Sequence, residues 1–347
     1  MLSDFDFELP NELIAQHPLP RGKSRVLCHD SQRNLQEIIF EDIHKFFNSD
    51  DVVVLNNTKV IPSFLSGNVN DSEITVNLIN RYSGTSNETW EVLSKPRKKL
   101  AINSIVKFSE TLSGRVIEKY NINDMDVIEF NLPSEEFYNE IDLVGNMPLP
   151  QYIKRPTSPT DSTTYQTVFS KVKGSVAAPT AGLHFTTDLL EILKNKGVHI
   201  AYITLHVGSG TFLPVRTEKI SDHKMHNEFY NIDQNTCDII NEAQSKQNKI
   251  VAIGTTSLRA LESAANFCNG EKLVPHSNYT NLFVTVGYEF KIVDSIVTNF
   301  HLPKSTLFML VCALLGSVDD GQRLYKHAIQ NKYRFFSYGD ACFIQIK

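Results

Sequence analysis

The chain has 347 residues, 41% of them hydrophobic and 21% charged, with a formal net charge of −5. It is long enough for two cores, too balanced for wholesale disorder, and not the basic protein that marks the simplest nucleic-acid binders. Five scattered cysteines, Cys28, Cys237, Cys268, Cys312 and Cys342, never spaced Cys-x-x-Cys, argue against a disulfide framework and a thiolate zinc site.

The N-terminal residues Met1 to Asp6 are acidic and lead into no signal-peptide pattern, and residues Asp4 to Pro20 mix Phe, Pro and Leu without a clean period. Residues Asp51 to Asn57 form an apolar run stopped by turn formers, which predicts a buried strand ending in a polar turn. Between Val60 and Leu132 short β-type stretches, Glu73 to Ile79, Thr89 to Leu93, Ser104 to Phe108, Gly114 to Glu118 and Asp126 to Phe130, are separated by turn residues. Their spacing predicts an antiparallel barrel or sandwich. Ser134 reads as the N-cap of a helix with Phe137, Ile141 and Val144 on one face and Gly145 at its end. The Pro-spaced segment Met147 to Pro156 marks a return from this small domain.

After it, helices and strands alternate. A helix capped by Thr187 precedes a strand over Val198 to Val207. A helix at Gln234 to Lys246, a strand at Lys249 to Ile253 and a helix at Thr256 to Phe267 come next, then strands between Leu282 and Val297. The series ends with a helix opened by Ser305, another over Gly321 to Asn331, and a strand near Ala341 to Ile346. This is α/β grammar. The simplest architecture joins residues 1–60 and 155–347 into one discontinuous α/β catalytic domain, with the early strand rejoining the later sheet, and leaves 61–154 as an inserted β domain. The longest apolar run, Leu307 to Leu315, is well short of the ~20 residues that span a bilayer, so a soluble intracellular protein is expected.

Chemistry concentrates in turns. In Val176 to Phe185, Pro179 and Gly182 break both periodicities and put Thr180 and His184 on a shaped turn before a helix. In Leu205 to Phe212, His206 stands beside Gly208, Gly210 and Thr211 at a strand end, so the two turns read as walls of one site. Ile250 to Glu262 is a strand, a turn at Gly254 and a helix start carrying Thr255, Thr256, Ser257 and Arg259. Such a start suits an anionic group, although ordinary capping by Thr256 or Ser257 accounts for the pattern too. His184, His206, His223, His226 and His301 are candidates for proton transfer. His223-x-x-His226 invites a metal-dependent hydrolase reading, for which no third ligand is suitably spaced. Lys95, Arg97, Lys98 and Lys99 are four cations in five positions, a phosphate-contacting loop or a solvated hairpin end. Tyr333 to Asp340 sets aromatics, Tyr338 among them, beside Arg334 and Asp340, a composition suited to a cation or a flat base, with core packing expected for Phe335 or Phe336. A non-catalytic RNA-binding protein is the remaining alternative.

Taken together, the stretches Asn56 to Pro62, Met147 to Ile153, Tyr165 to Phe169, Ala177 to Phe185, Leu205 to Phe212, Asp222 to His226, Gly254 to Ser257, Thr298 to Pro303 and Tyr333 to Ala341 resemble, in kind and order, the S-adenosylmethionine:tRNA ribosyltransferase-isomerase family of queuosine biosynthesis. The resemblance implies an α/β domain with an inserted antiparallel β-barrel. It also implies transfer and isomerisation of the ribosyl moiety of S-adenosylmethionine onto the aminomethyl group of 7-aminomethyl-7-deazaguanine in tRNA, giving epoxyqueuosine-tRNA, adenine and methionine. S-adenosylmethionine is then a co-substrate with no tightly bound cofactor, tRNA is engaged at the anticodon loop, and a cytoplasmic monomer without obligate protein partner or membrane is expected. Arg97, Val286 and Lys171 to Lys173 depart from the family pattern. On this reading the base and acid come from His184, His206 and His301, with Asp222 or Asp340 orienting a ring. Gly254 to Ser257 hold the methionine carboxylate or a tRNA phosphate, and Lys95, Arg97, Lys98 and Lys99 contact RNA.

Overall fold

A computed structural model describes residues 1–82, 87–120, 125–208, 215 and 217–346. Its larger sheet has nine strands in the order His276–Thr280, Glu228–Ile232, His199–Leu205, Val52–Asn56, Ile250–Ile253, Ser295–Asn299, Ala341–Gln345, Arg25–His29 and Leu35–Ile39. The strands from His199–Leu205 to Ser295–Asn299 are mutually parallel. Val52–Asn56 is buried throughout, as a parallel strand covered on both faces must be, which is why it reads as a continuous apolar run. Val52 and Val54 pack with Leu258 and Leu261 of the helix Gly254–Phe267 on one face, whereas Val53 and Leu55 pack with Leu189 and Leu193 of the helix Thr187–Asn195 on the other. The early strand thus lies in the middle of the later sheet.

The smaller sheet is a closed antiparallel barrel in the order Asp126–Phe130, Thr89–Lys95, Ser72–Tyr82, Phe64–Val69, Ile105–Lys107 and Ser113–Glu118, and its closure removes the sandwich alternative. The helix Ser134–Val144 inserts Phe137 and Ile141 into a core with Trp90 and Phe130. The segments entering and leaving this region pair in parallel, Thr58–Val60 with Val172–Ser175.

Three sequence-based expectations need correction. Residues 282 to 294 contain no strand; their backbone is satisfied from the helix Gly254–Phe267 instead. Glu262 accepts from the backbone N–H of Lys291, Ile292 and Val293, and Arg259 Nε donates to the carbonyl of Leu282. Ser134 does not cap its helix but donates its hydroxyl to the Glu88 carboxylate. The cap ahead of Thr187–Asn195 is Thr186, whose Oγ1 accepts from the Leu189 N–H. Among the described residues no helix is long and apolar enough to cross a membrane.

Candidate active site

Four parallel strands end at one edge of the sheet, at Leu205, Asn56, Ile253 and Asn299, and ligands of open α/β sheets bind outside such carboxyl ends. Asn56 ties three of these ends together. Its amide donates to the Leu205 carbonyl at 2.9 Å and to Thr256 Oγ1 at 3.2 Å, and its Oδ1 accepts from the N–H groups of Leu205 and Thr58.

Over this edge lies a cleft of about 230 Å³. Gly254, Thr255 and Thr256 line one side. Gly254 has φ +86, so the chain turns from strand directly into helix, and no side chain caps the helix start. The unpaired N–H groups of that first turn present partial positive charge to the cleft. Ser257 is not part of it; fully buried, it donates back to the Ile253 carbonyl. Phe336 forms another wall, stacked on Tyr152 with centroids 4.3 Å apart. Phe336 holds φ +71, which a non-glycine residue rarely adopts, and its N–H donates to the Phe300 carbonyl; Phe335 is wholly buried core.

His301 lines the same cleft, with Nε2 3.1 Å from Thr298 Oγ1 and no hydrogen bond at Nδ1 among the described residues. Burial pushes its pKa down to about 3, so the ring is neutral near pH 7 and available as a proton acceptor. Thr180, also in the wall, donates to Asn299 Oδ1 at 2.9 Å. Asn299 Nδ2 donates to His184 Nε2 at 3.1 Å, and His184 Nδ1 donates to Ser24 Oγ at 3.0 Å. His184 therefore stands behind the wall, stacked on Phe40, both ring nitrogens engaged. Burial, with smaller contributions from Arg21 and Arg334, lowers its pKa to about 3. His184, expected to transfer protons, thus holds Asn299, which in turn accepts from Thr180 in the cleft wall.

His206 lies in a second cleft of about 310 Å³ between the barrel and the main sheet, lined also by Asn80, Arg81, Glu88, Gly208, Glu228, Phe229 and Tyr279. The two His turns thus wall two clefts rather than one, with Val207 lining both. His206 stacks on Phe229, and its Nδ1 lies 2.8 Å from Thr58 Oγ1. Burial, then Arg81, lowers its pKa to about 4. Gly174, at φ +141, is required here, since a Cβ would come within 2.8 Å of the imidazole. Arg259 sits buried in an ion pair with Glu228, whose other oxygen accepts from the Gly208 N–H, so it supports this cleft from behind.

Other expected site residues serve the framework. Gly182 is packed against Phe169 and Thr167, where a Cβ would meet atoms within 2.9 Å. Tyr338 is buried against Tyr165, its hydroxyl 3.5 Å from Asp161. Asp340 accepts from the backbone N–H of Arg25 and Arg334, and burial raises its pKa; it clamps a loop and orients no imidazole. Asp222 is exposed and accepts from Ser221, and among the described residues it has no hydrogen bond to any of the three histidines. Gly210 and Thr211 fall outside the described residues. On the barrel, Lys95, Lys98 and Lys99 are exposed, whereas Arg97 pairs with the buried Asp126 and stacks over Tyr120. His223 packs edge-on to Phe283, and no group of three potential metal ligands occurs among the described residues. Asn299, Tyr152 and Phe336 were not singled out from the sequence. A polar residue ending a buried strand was the signal for Asn299; nothing in the residue pattern separated Phe336 from Phe335.

The family description "Queuosine biosynthesis protein" matches residues 2–344. The chain belongs to this family. An S-adenosylmethionine:tRNA ribosyltransferase-isomerase of Finegoldia magna is 45% identical over 98% of this chain and 97% of its own, and one of Rickettsia bellii is 44% identical over 100% and 99%. A crystal structure of the S-adenosylmethionine tRNA ribosyltransferase from Thermotoga maritima matches with a TM-score of 0.56 and 31% identity, covering 98% of this chain and 99% of that one. The α/β fold with its inserted barrel is therefore similar to that of a solved relative, and the hydrolase and RNA-binding alternatives gain no support.

Proposed function

We propose that this protein transfers and isomerises the ribosyl moiety of S-adenosylmethionine onto the aminomethyl group of 7-aminomethyl-7-deazaguanine in tRNA, giving epoxyqueuosine-tRNA with release of adenine and methionine. Family membership supports this, and one structural observation supports the placement. A helix start without a side-chain cap, a stacked aromatic wall and a neutral imidazole with one nitrogen uncommitted among the described residues line a single cleft. In this proposal the methionine carboxylate meets the N–H groups of Gly254 to Thr256, and the Phe336 and Tyr152 rings face the sulfonium or the adenine. The positive sulfur acidifies the C5′ hydrogens. His301 takes one of them, the resulting ylide opens the ribose, and the protonated imidazole returns the proton to the departing adenine. A neutral imidazole can do both in turn, so no separate cationic acid is needed. The reading keeps residues 1–60 with 155–347 as the catalytic domain and 61–154 as the inserted barrel. It takes S-adenosylmethionine as a co-substrate rather than a tightly bound cofactor, and the anticodon loop as the tRNA region engaged, by a monomer in the cytoplasm.

The test is incubation of the purified protein with S-adenosylmethionine and tRNA carrying the aminomethyl base. Coupled release of adenine and methionine with a mass gain on the tRNA is expected. Adenine release without that gain would move the acceptor elsewhere, and no release at all would reject the proposal.

A further inference from the structure

We infer that the second cleft takes the acceptor nucleobase, and that His206 removes the proton from its aminomethyl ammonium so that the free amine can attack. The inference rests on the function proposed above and assigns the other half of that reaction to a place. At about 310 Å³ the cleft falls within the ~300–1,000 Å³ of cavities that accept small organic ligands. Its walls combine the exposed Tyr279, which offers an aromatic face to a base turned out of an RNA loop, with Phe229, stacked on His206, and with Arg81, which is paired with Glu88 and half-exposed at the edge.

In the tautomer of His206 that this inference takes, Nδ1–H donates to Thr58 Oγ1 at 2.8 Å, with the Thr58 hydroxyl turned toward the Val172 carbonyl 3.5 Å away. That leaves Nε2 with its lone pair, and it makes no hydrogen bond among the described residues. An aminomethyl group on a heterocycle is an ammonium near neutral pH and has no lone pair with which to attack. Transfer of one proton from nitrogen to His206 Nε2 restores that lone pair, which then forms the new C–N bond to the opened ribosyl fragment. On bonding, the nitrogen sheds a second proton to solvent. His206, its pKa lowered by burial, then passes the first proton to solvent, so the charges of the ammonium and the sulfonium leave as two protons, while the C–S bond breaks and adenine and methionine depart neutral.

Val207 lines both clefts, so the cleft that holds His301 adjoins the cleft that holds His206. Each imidazole then handles one substrate, in keeping with both being buried and having one ring nitrogen without a hydrogen bond among the described residues.

The experiment compares H206A and H301A with the unaltered protein. It measures S-adenosylmethionine affinity by equilibrium dialysis, affinity for tRNA with and without the aminomethyl group, and kcat from pH 6.5 to 9.5. H206A is expected to keep its S-adenosylmethionine affinity within about twofold and to lose on the order of 10²-fold in kcat at pH 7. Most of that loss should disappear near pH 9.5, where solvent deprotonates the amine. F229A is expected to reduce the preference for aminomethyl-bearing over guanine-bearing tRNA by about tenfold. Weakened S-adenosylmethionine binding in H206A, an equal loss at every pH, or an unchanged preference in F229A would each overturn the assignment. H206N, which retains a polar side chain of similar reach, serves if H206A does not fold and should show the same recovery at high pH. If the unaltered protein performs no transfer, the proposed function fails first, and that result is distinct from any of these.

Discussion

His184→Ala separates positioning from chemistry, because the structure expects it to fail as a fold element before it fails as a catalyst. The substitution removes two hydrogen bonds, to Ser24 Oγ and from Asn299 Nδ2, and the ring stacked on Phe40 at 4.8 Å. Two net hydrogen bonds are worth about 0.5–1.5 kcal/mol each, and the void left by a buried ring adds a similar amount or more, so about 3–5 kcal/mol of stability should be lost. His301→Ala removes one hydrogen bond and a ring that borders the open cleft, so it should cost less, about 1–3 kcal/mol. For kcat the order reverses. Loosening Asn299 and Thr180 should cost on the order of tenfold, whereas loss of the proton acceptor should cost ~10²–10⁴-fold. Urea denaturation of both variants, run beside single-turnover adenine release across pH, reads both quantities. His184→Ala should keep the shape of the pH profile, and His301→Ala should change it. A His184 variant as stable as the unaltered protein but as inactive as His301→Ala would refute the assignment.

Three further outcomes are expected. Stability should fall as the solution is acidified below about pH 6.5. His184, His206 and His301 have pKa values of about 3, 4 and 3 in the fold against 6.5 when unfolded, so unfolding takes up protons in that window. Each contributes up to about 1.4 kcal/mol per pH unit; a melting temperature unchanged between pH 7.5 and 5 would refute this. Exchanging Lys95, Lys98 and Lys99 together for Ala should weaken tRNA binding and flatten its salt dependence without altering the urea midpoint. Arg97→Ala, by contrast, should destabilise the barrel by about 2 kcal/mol, because among the described residues Asp126 retains only Lys119 as a charged partner, and identical salt slopes in the two variants would contradict this division. Gly174→Ala should lower kcat more than stability, since its Cβ displaces the His206 imidazole; unchanged turnover would show that the ring is free to move.

Strand identity was legible in the sequence where burial imposed a plain pattern, and illegible where packing replaced it. Val52–Asn56 could be read because both its faces are covered, and Asp126–Phe130 because its apolar residues survive at the inward positions. Phe64–Val69 escaped notice although its burial alternates perfectly, since one of its three inward positions is Gly67, pressed so close to Phe108 and the Lys107 carbonyl that no side chain fits. Leu35–Ile39 is an edge strand and largely exposed, so no hydrophobic signal marks it. At the site, turn chemistry singled out Thr180, Gly254 to Thr256, His206 and His301, all of which line one of the two clefts. It did not separate His301 from His184, because the difference lies in partners from residues 115 and 160 positions away in the chain.

The point at which the barrel is inserted bears on why two clefts adjoin. Insertion directly after Asn56 places the barrel at the carboxyl edge of the sheet, where the ligand cleft of an α/β fold already lies. Had the insertion left from the amino edge, the barrel strand Ser72–Tyr82 would stand on the far side of the sheet from His206. As built, a Cβ on Gly208 would come within 2.6 Å of Asn80 Oδ1, so barrel and sheet touch beside the histidine. Thr58, two residues beyond the strand end, fixes the ring on which the second cleft depends. A single exit from the central strand thus closes the first cleft's framework through Asn56 and creates the second through Thr58, so the geometry of one is tied to the geometry of the other by three consecutive residues.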